Sequence, residues 1–517
     1  DDIRTLAEPR TRVIFLDGRT VIPGIIDAHA HMEREGLKGI HPSLEGKKSI
    51  AAILERIAAE AGVRPKGEWI VTMPVGAPPF YFNGVETIAE RRLPTRAELD
   101  SVAPDHPVCI MAAFGNWGAP PCYWVLNSHA LALNGITADT VPQFAEVEID
   151  KDPVTGKPTG TIVEHGQRPI APFDVLKAVP KFTYEERLIG LKESMRLYNA
   201  VGTTSVYEGH GSAPETIALY RKLCERGQAT VRTHLTVSPT WHDVSEAGRM
   251  MRDWLAYARG RGLGDSWLRI SGVFVGLFGD TALRDRALEA LPDTGWSGFV
   301  EPANNLDEFS DLAHLAAEND LRLHTIVSGR MGSVIPVLEK IDQSYPLFGR
   351  RWVVEHIDIV QPEQISALKR LGILVTAIPA YTLWKNGTPY LDQIDDGNHV
   401  TPIRSLMEAG IPIAVGTDNI PINPFFALWA MIVRTERTSD RVIGPDQRLT
   451  LNEGLRTLTT QGAYLSFEED EKGSLQPGKL ADLAVLSTDL AETSLDDLKE
   501  VSASLTMVGG RIVHDEA

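Results

Sequence analysis

"IIDAHAHMER", residues 25–34, decides how the rest of the chain is read. An apolar run from Val21 to Ile26 ends in an acid and two histidines one residue apart. Successive side chains of a strand alternate faces, so His29 and His31 lie side by side, where both imidazoles can reach one ion. An isolated His-x-His is equally explained by one core and one solvated histidine. Its meaning depends on the rest of the chain.

Working outward, short apolar, β-rich runs recur after helix-like stretches: 202–209, 230–237, 267–278, 321–327, 351–359, 372–378 and 411–418. With the opening strand they make eight. The helical pattern between them is clearest at Glu185–Ala200, Leu306–Asn319, Pro362–Leu371 and Ile403–Ala409. Strands alternating with helices predict a parallel sheet, and eight such units predict an α/β fold closed into a (β/α)8 TIM-like barrel. Near-continuous apolar strands fit a sheet covered on both faces.

Residues 65–166 break this rhythm with Pro, Gly and aromatics ("MPVGAPPFYFNG", "FGNWGAPPCYW"). A connection that long between strands one and two must be an inserted subdomain, placed over the active site if it follows the C-terminal end of a strand. Both chain ends carry turn–strand text, "TRVIFLDGRT" (11–20), "GSLQPGKLADLAVLS" (473–487) and "SLTMVGGRIVHDE" (504–516). The expected division is a small β-sandwich from 1–22 and 472–517, a barrel from 23–64 and 167–471, and the insert.

Composition narrows the partners. With 69 acids against 51 bases the net charge is −18, which argues against nucleic acid or an anionic membrane and for a small-molecule substrate. No apolar run reaches the roughly 18 residues of a membrane span. Cys109, Cys122 and Cys224 show no CxxC spacing, so neither a thiolate metal site nor a disulfide scaffold is expected, and a reducing, cytoplasmic setting is. A homodimer is the default assembly.

Three further candidates fall near C-terminal strand ends: His324 in strand five, His356 in strand six and Asp418 closing strand eight. A parallel barrel opens all those ends on one face, so these residues, His29 and His31 converge. Singly, each has a plainer reading as a packed histidine or a helix cap.

The motifs "PGIIDAHAH", "VLNSHALALNGI", "YNAVGTTSVYEG", "VVEHIDIVQPE", "GTDNIPINPFFALWAMIVR" and "GSLQPGKLADLAVL" occur in order along the chain. Together they resemble the amidohydrolase superfamily, in the branch similar to N-substituted formamide deformylase. That resemblance implies a metal-dependent hydrolase cleaving a C–N bond, an amide or cyclic amide, of a small and partly aromatic substrate. A decarboxylase or esterase on the same ligands stays open, as does a non-catalytic scaffold.

Imidazole and carboxylate donors suit zinc, with iron or manganese as alternatives. The ligands expected are His29, His31, His324 and Asp418, with Asp418 also the general base and His356 polarising the substrate carbonyl, as the resemblance implies. Two-metal relatives usually bridge their ions with a strand-four lysine, whereas here Phe274, or Gly276 in an alignment shifted by two residues, stands in that position. No lysine occurs between Lys222 and Lys340, and neither Glu nor Cys in 267–279, so one ion is expected. His210, Phe82, Trp117 and Trp384 are candidate substrate contacts, against a loop histidine and aromatic core. Glu164 is read as a solvated acid or a site residue of the insert, and Asp280 as a cap.

Overall fold

The computed structural model describes residues 5–82, 84–113, 118–166, 170–238, 241–277, 279, 282 and 303–516. Eight parallel strands succeed one another in chain order: β1 (Ile25–Ala30), β2 (Thr203–Ser212), β3 (Arg232–Val237), β4 (Leu268–Phe274), β5 (Leu323–Ile326), β6 (Val353–Glu355), β7 (Leu374–Ala377) and β8 (Ile413–Val415). Each pairs with the next, from β1–β2 to β7–β8. This is the expected (β/α)8 barrel, nearly closed by backbone pairing.

The helices start and stop where their sequences say. Thr183 and Glu186 form a reciprocal cap at the start of Tyr184–Ala200, Asn305 caps Leu306–Glu318, and Pro362–Leu371 ends on Gly372 at φ 68°. One core joins the outward strand residues Leu323, Val354, Val375 and Ile413 to Leu312, Leu338, Leu368 and Leu406 of the helices. Each such side chain contributes about 1.5–3 kcal/mol by leaving water.

Inside, the barrel has an apolar layer of Ala28, Val353, Leu374 and Ala414 around Tyr207. Tyr207 also stacks on His234 and His324.

Between β8 and β1 the described residues form no strand ladder. Instead, the Asp418 N–H donates to the His29 carbonyl at 2.8 Å. The N–H and hydroxyl of Thr417 donate to the buried Asp27 carboxylate at 3.0 and 2.6 Å. One backbone hydrogen bond and the Asp27 carboxylate close the barrel at its mouth.

The chain between β1 and β2 holds a five-stranded sheet in the order Ile70–Thr72, Val108–Ile110, Cys122–Leu126, Pro158–Glu164, Val147–Lys151. The helix Ile50–Val63, which the sequence places with the barrel, buries Ile50, Ile53 and Ile57 against Ile70, Val108 and Val125 of this sheet. The chain ends meet in a four-stranded antiparallel sheet, Val21–Pro23, Leu483–Leu486, Ala503–Val508 and Arg511–Asp515. Residues 11–20, expected to join this β-unit, form no strand, and Val13 and Phe15 are exposed. No described helix is long and apolar enough to cross a membrane.

Candidate metal centre

The strand-end histidines do meet. Asp27 accepts the His29 N–H at 3.1 Å and so fixes the turn of chain that presents His29 and His31. The two rings lie 5.2 Å apart at right angles. His210 is 5.1 Å from His29 and 4.7 Å from His31, and His356 is 4.3 Å from His29. Asp418 Oδ1 lies 3.0 Å from His31 Nε2. Four imidazoles and a carboxylate thus share one buried site.

Local backbone conformation aims these side chains. His210, His356 and Asp418 all have left-handed φ, at 58°, 54° and 53°. Outside glycine this region is sparsely populated and marks backbone held in place by its surroundings, often at functional sites. His210 also lies where the β2–β3 register shifts, between Glu208 and Ser212, and such bulges turn a side chain toward a new neighbour. Behind the cluster, the Asn419 side chain accepts the His31 N–H at 2.9 Å and donates to the His31 carbonyl at 3.0 Å.

His324, expected from the sequence as a ligand, lies outside this group and in none of the sets of candidate ligand atoms among the described residues. β5 pairs with β6 so that His324 lies beside Val353, a layer below His356. Both its nitrogens have protein partners: Nδ1 faces Glu355 Oε1 at 2.6 Å and Nε2 faces the Tyr207 hydroxyl at 2.9 Å. Glu355, which sequence reasoning passed over although it precedes His356, also lies 3.2 Å from His29 Nδ1. It bridges the two layers.

The electrostatics follow from burial. Burial and the Arg34 charge push His31 down to about 3, and burial with the charge of His29 pushes His356 down to about 4. Burial, then the charges of His31, His29 and His356, hold His210 well below the ordinary imidazole value. Burial would lower His29 too, but Glu355, then Asp418 and Asp27, raise it above the ordinary imidazole value. Burial works to raise Asp418, and His31, His356 and His29 outweigh it, so its carboxyl stays well below the usual range. Neutral imidazoles and an ionised carboxylate are the forms that ligate metals.

The donors fit a divalent ion. His29 and His356 face each other Nε2 to Nε2 at 2.9 Å, an arrangement that needs a proton or a cation between the lone pairs. His31 Nε2, His210 Nε2 and Asp418 Oδ1 are buried without a hydrogen-bond partner. Ligand atoms of His29, His31 and His210, and of His29, His356 and Asp418, form two groups each within 4.8 Å. Such nitrogen and oxygen sets are those of catalytic zinc sites.

Among the proposed substrate contacts, Phe82 and Trp384 share an aromatic cluster with Phe80, with centroids 5.0 to 6.1 Å apart. Trp117 and Asp280 lie outside the described residues. Glu164 is neither solvated nor at the cluster. It is buried in the insert, accepting from Trp124 Nε1 at 2.8 Å and the Ala171 N–H at 2.7 Å, and burial pushes it up to about 7. Phe274 is buried with its ring stacked on His210 at 5.8 Å, which puts carbon at the end of β4.

The chain is 27% identical over 98% of its length, and 91% of the other's, to an N-substituted formamide deformylase of Arthrobacter pascens. It is 23% identical to a putative amidohydrolase of Bacillus subtilis (strain 168), covering 98% of this chain and 92% of that one. An uncharacterized metal-dependent hydrolase from Pyrococcus horikoshii shares the fold with a TM-score of 0.66 at 19% identity, over 96% of this chain and 91% of that one. The model of the amidohydrolase family matches residues 12–514. With the barrel and its histidine cluster in place, that match over nearly the whole length means that the chain belongs to the amidohydrolase family.

Proposed function

We propose that this amidohydrolase cleaves a C–N bond, an amide or cyclic amide, in a small and partly aromatic molecule. One divalent ion, zinc by its donors, would be held by His29, His31, His356 and Asp418. The observation that carries the reading is the buried cluster at the barrel mouth, with unpartnered nitrogen and oxygen atoms turned toward one another. Likeness to a formamide deformylase supports the bond class, and the Phe80–Phe82–Trp384 group supports an aromatic substrate portion.

Held there, such an ion would lower the pKa of a water to about 7 and polarise a carbonyl oxygen. The chain's own groups supply the proton chemistry. Asp418, ionised at neutral pH, accepts the proton of the attacking water and returns it to the leaving nitrogen. His210 keeps its ring against Phe274 and its Nε2 unpartnered, so it can bind the substrate oxygen. Glu355 sets a carboxylate 3.2 Å from His29 Nδ1, an ion-pair neighbour that leaves Nε2 for the ion. A single ion is supported by Phe274, a residue without a ligand atom, at the end of β4.

Chelation followed by metal add-back tests the reading, with N-formyl, N-acyl, cyclic imide and ester compounds as a panel. Turnover of amides or imides should vanish and return, with about one metal equivalent per chain. Undiminished turnover by metal-free protein, or turnover of esters alone, would sink it.

A further inference from the structure

A chain of buried polar groups leads from His29 into the barrel interior. Glu355 Oε2 lies 3.2 Å from His29 Nδ1, and Glu355 Oε1 faces His324 Nδ1 at 2.6 Å. The other nitrogen of that ring, His324 Nε2, faces the Tyr207 hydroxyl at 2.9 Å. Tyr207 in turn accepts from Thr236 Oγ1 at 3.1 Å and from the Arg322 guanidinium at 3.3 Å. Tyr207, His324, Glu355 and His29 are all buried, so bulk water offers them no exchange of partners.

Counting protons gives this chain a direction. A guanidinium only donates, and a phenol has one proton to give and two positions at which to accept. Arg322 and Thr236 fill both accepting positions of Tyr207, so its own proton goes to His324 Nε2. An imidazole that accepts at one nitrogen carries its proton on the other, and His324 therefore donates from Nδ1 to Glu355 Oε1. The second oxygen of Glu355 lies beside His29 Nδ1, and a carboxylate there favours the proton on that nitrogen. His29 Nε2 is left as a lone pair, facing His356 Nε2 at 2.9 Å.

We propose that Tyr207 is a positioning residue for the metal centre. Its single hydroxyl proton sets the tautomer of His324 and, through Glu355, that of His29, which keeps His29 Nε2 bare for a cation. Phenylalanine in its place would keep the ring stacked on His234 and His324 but would supply no proton. The inference rests on the metal reading above and extends it by two residues into the barrel.

Nitrogen-15 spectra of histidine-labelled, chelator-treated protein read the tautomers directly, with the His324 signal assigned by its loss in His324→Gln. In the unaltered protein His324 and His29 should both carry the proton on Nδ1. A His324 proton on Nε2 would overturn the proposal without any variant, so the test survives even if Tyr207→Phe fails to fold. In folded Tyr207→Phe, the Nε2–H form of His324 should appear. Zinc affinity should fall about tenfold, measured by competition with a chromophoric chelator. That loss should vanish in a Glu355→Gln background, because a residue acting through Glu355 then has nothing to act on. Equal losses in both backgrounds would reduce Tyr207 to packing, and an unchanged tautomer with unchanged affinity would be equally fatal. Protein that binds no zinc, yet loses the Nδ1–H form of His324 on Tyr207→Phe, would remove the metal reading and support the proton order. Zinc bound by a protein with the opposite His324 tautomer would remove the proton order alone.

Discussion

Two layers of histidine lie in this barrel, and they differ in what their nitrogens face. In the upper layer His29, His31, His210 and His356 turn toward one another and toward Asp418, with several atoms lacking a protein partner. In the lower layer His324 is satisfied at both nitrogens, and His234 bonds Ser271 at 3.0 Å and stacks on Tyr207. Residue type is the same in both, and all but the half-buried His210 are buried. What separates a candidate ligand from a structural histidine here is convergence: His234 Nδ1 also lacks a hydrogen-bond partner, but among the described residues neither His234 nor His324 joins a group of atoms that could hold one ion.

The largest effect that could break this comparison belongs to Asp418. As proposed ligand and base, Asp418→Asn should lower kcat by roughly a thousandfold or more in a folded protein. Near-normal kcat in a metal-loaded variant would take the carboxylate out of the chemistry. Next come the layers themselves. His356→Ala should abolish stable metal retention, while His324→Gln should keep about one equivalent by elemental analysis. Reversal of that pair, with His324→Gln empty and His356→Ala full, would restore the ligand set read from the sequence.

Glu355 joins the layers, so its substitution sharpens the contrast at smaller scale. Glu355→Gln should weaken metal affinity by about 10–100-fold, measured by competition with a chromophoric chelator, without changing stoichiometry. The mildest effect lies in the insert, away from both layers. Glu164, at about 7 when folded against an ordinary 4.5, binds its proton more tightly in the folded state. Its stabilising contribution is therefore full below pH 4.5 and is lost as the pH rises through 7. The melting temperature of Glu164→Gln should lack this part of the decline between pH 5 and 8. Identical pH profiles for the two proteins would show that Glu164 does not titrate there.

Much of the barrel was legible because apolar runs and helical periodicity are local properties. Pro362–Leu371 was read to the residue, and Leu306–Glu318 to within one. The depth of a histidine was not legible. It depends on the parallel register between β5 and β6, which sets His324 beside Val353, and no local pattern encodes that. His210 was hard to place for a related reason, since a bulge and a left-handed φ decide its direction. Asn419 and Glu355 stood within quoted motifs, beside Asp418 and His356, but their partners lie hundreds of residues away for one and 31 and more for the other. The helix Ile50–Val63 had the right periodicity, but periodicity does not say which sheet its apolar face will meet.

The seam between β8 and β1 has a consequence for how the fold assembles and opens. Its hydrogen bonds join Asp27 to Thr417, residues 390 apart in the chain, so closing it fixes a very long loop and belongs late in folding. The same two strands present His29, His31 and Asp418. An ion bound by all three would staple the first strand to the last, and its binding free energy would add directly to the cost of local opening there. Amide hydrogen exchange around the seam should then slow on metal loading far more than exchange at β4 or β5. In this barrel the proposed metal pocket and the fold's closing joint are one place, and metal supply would set how long the ring stays shut.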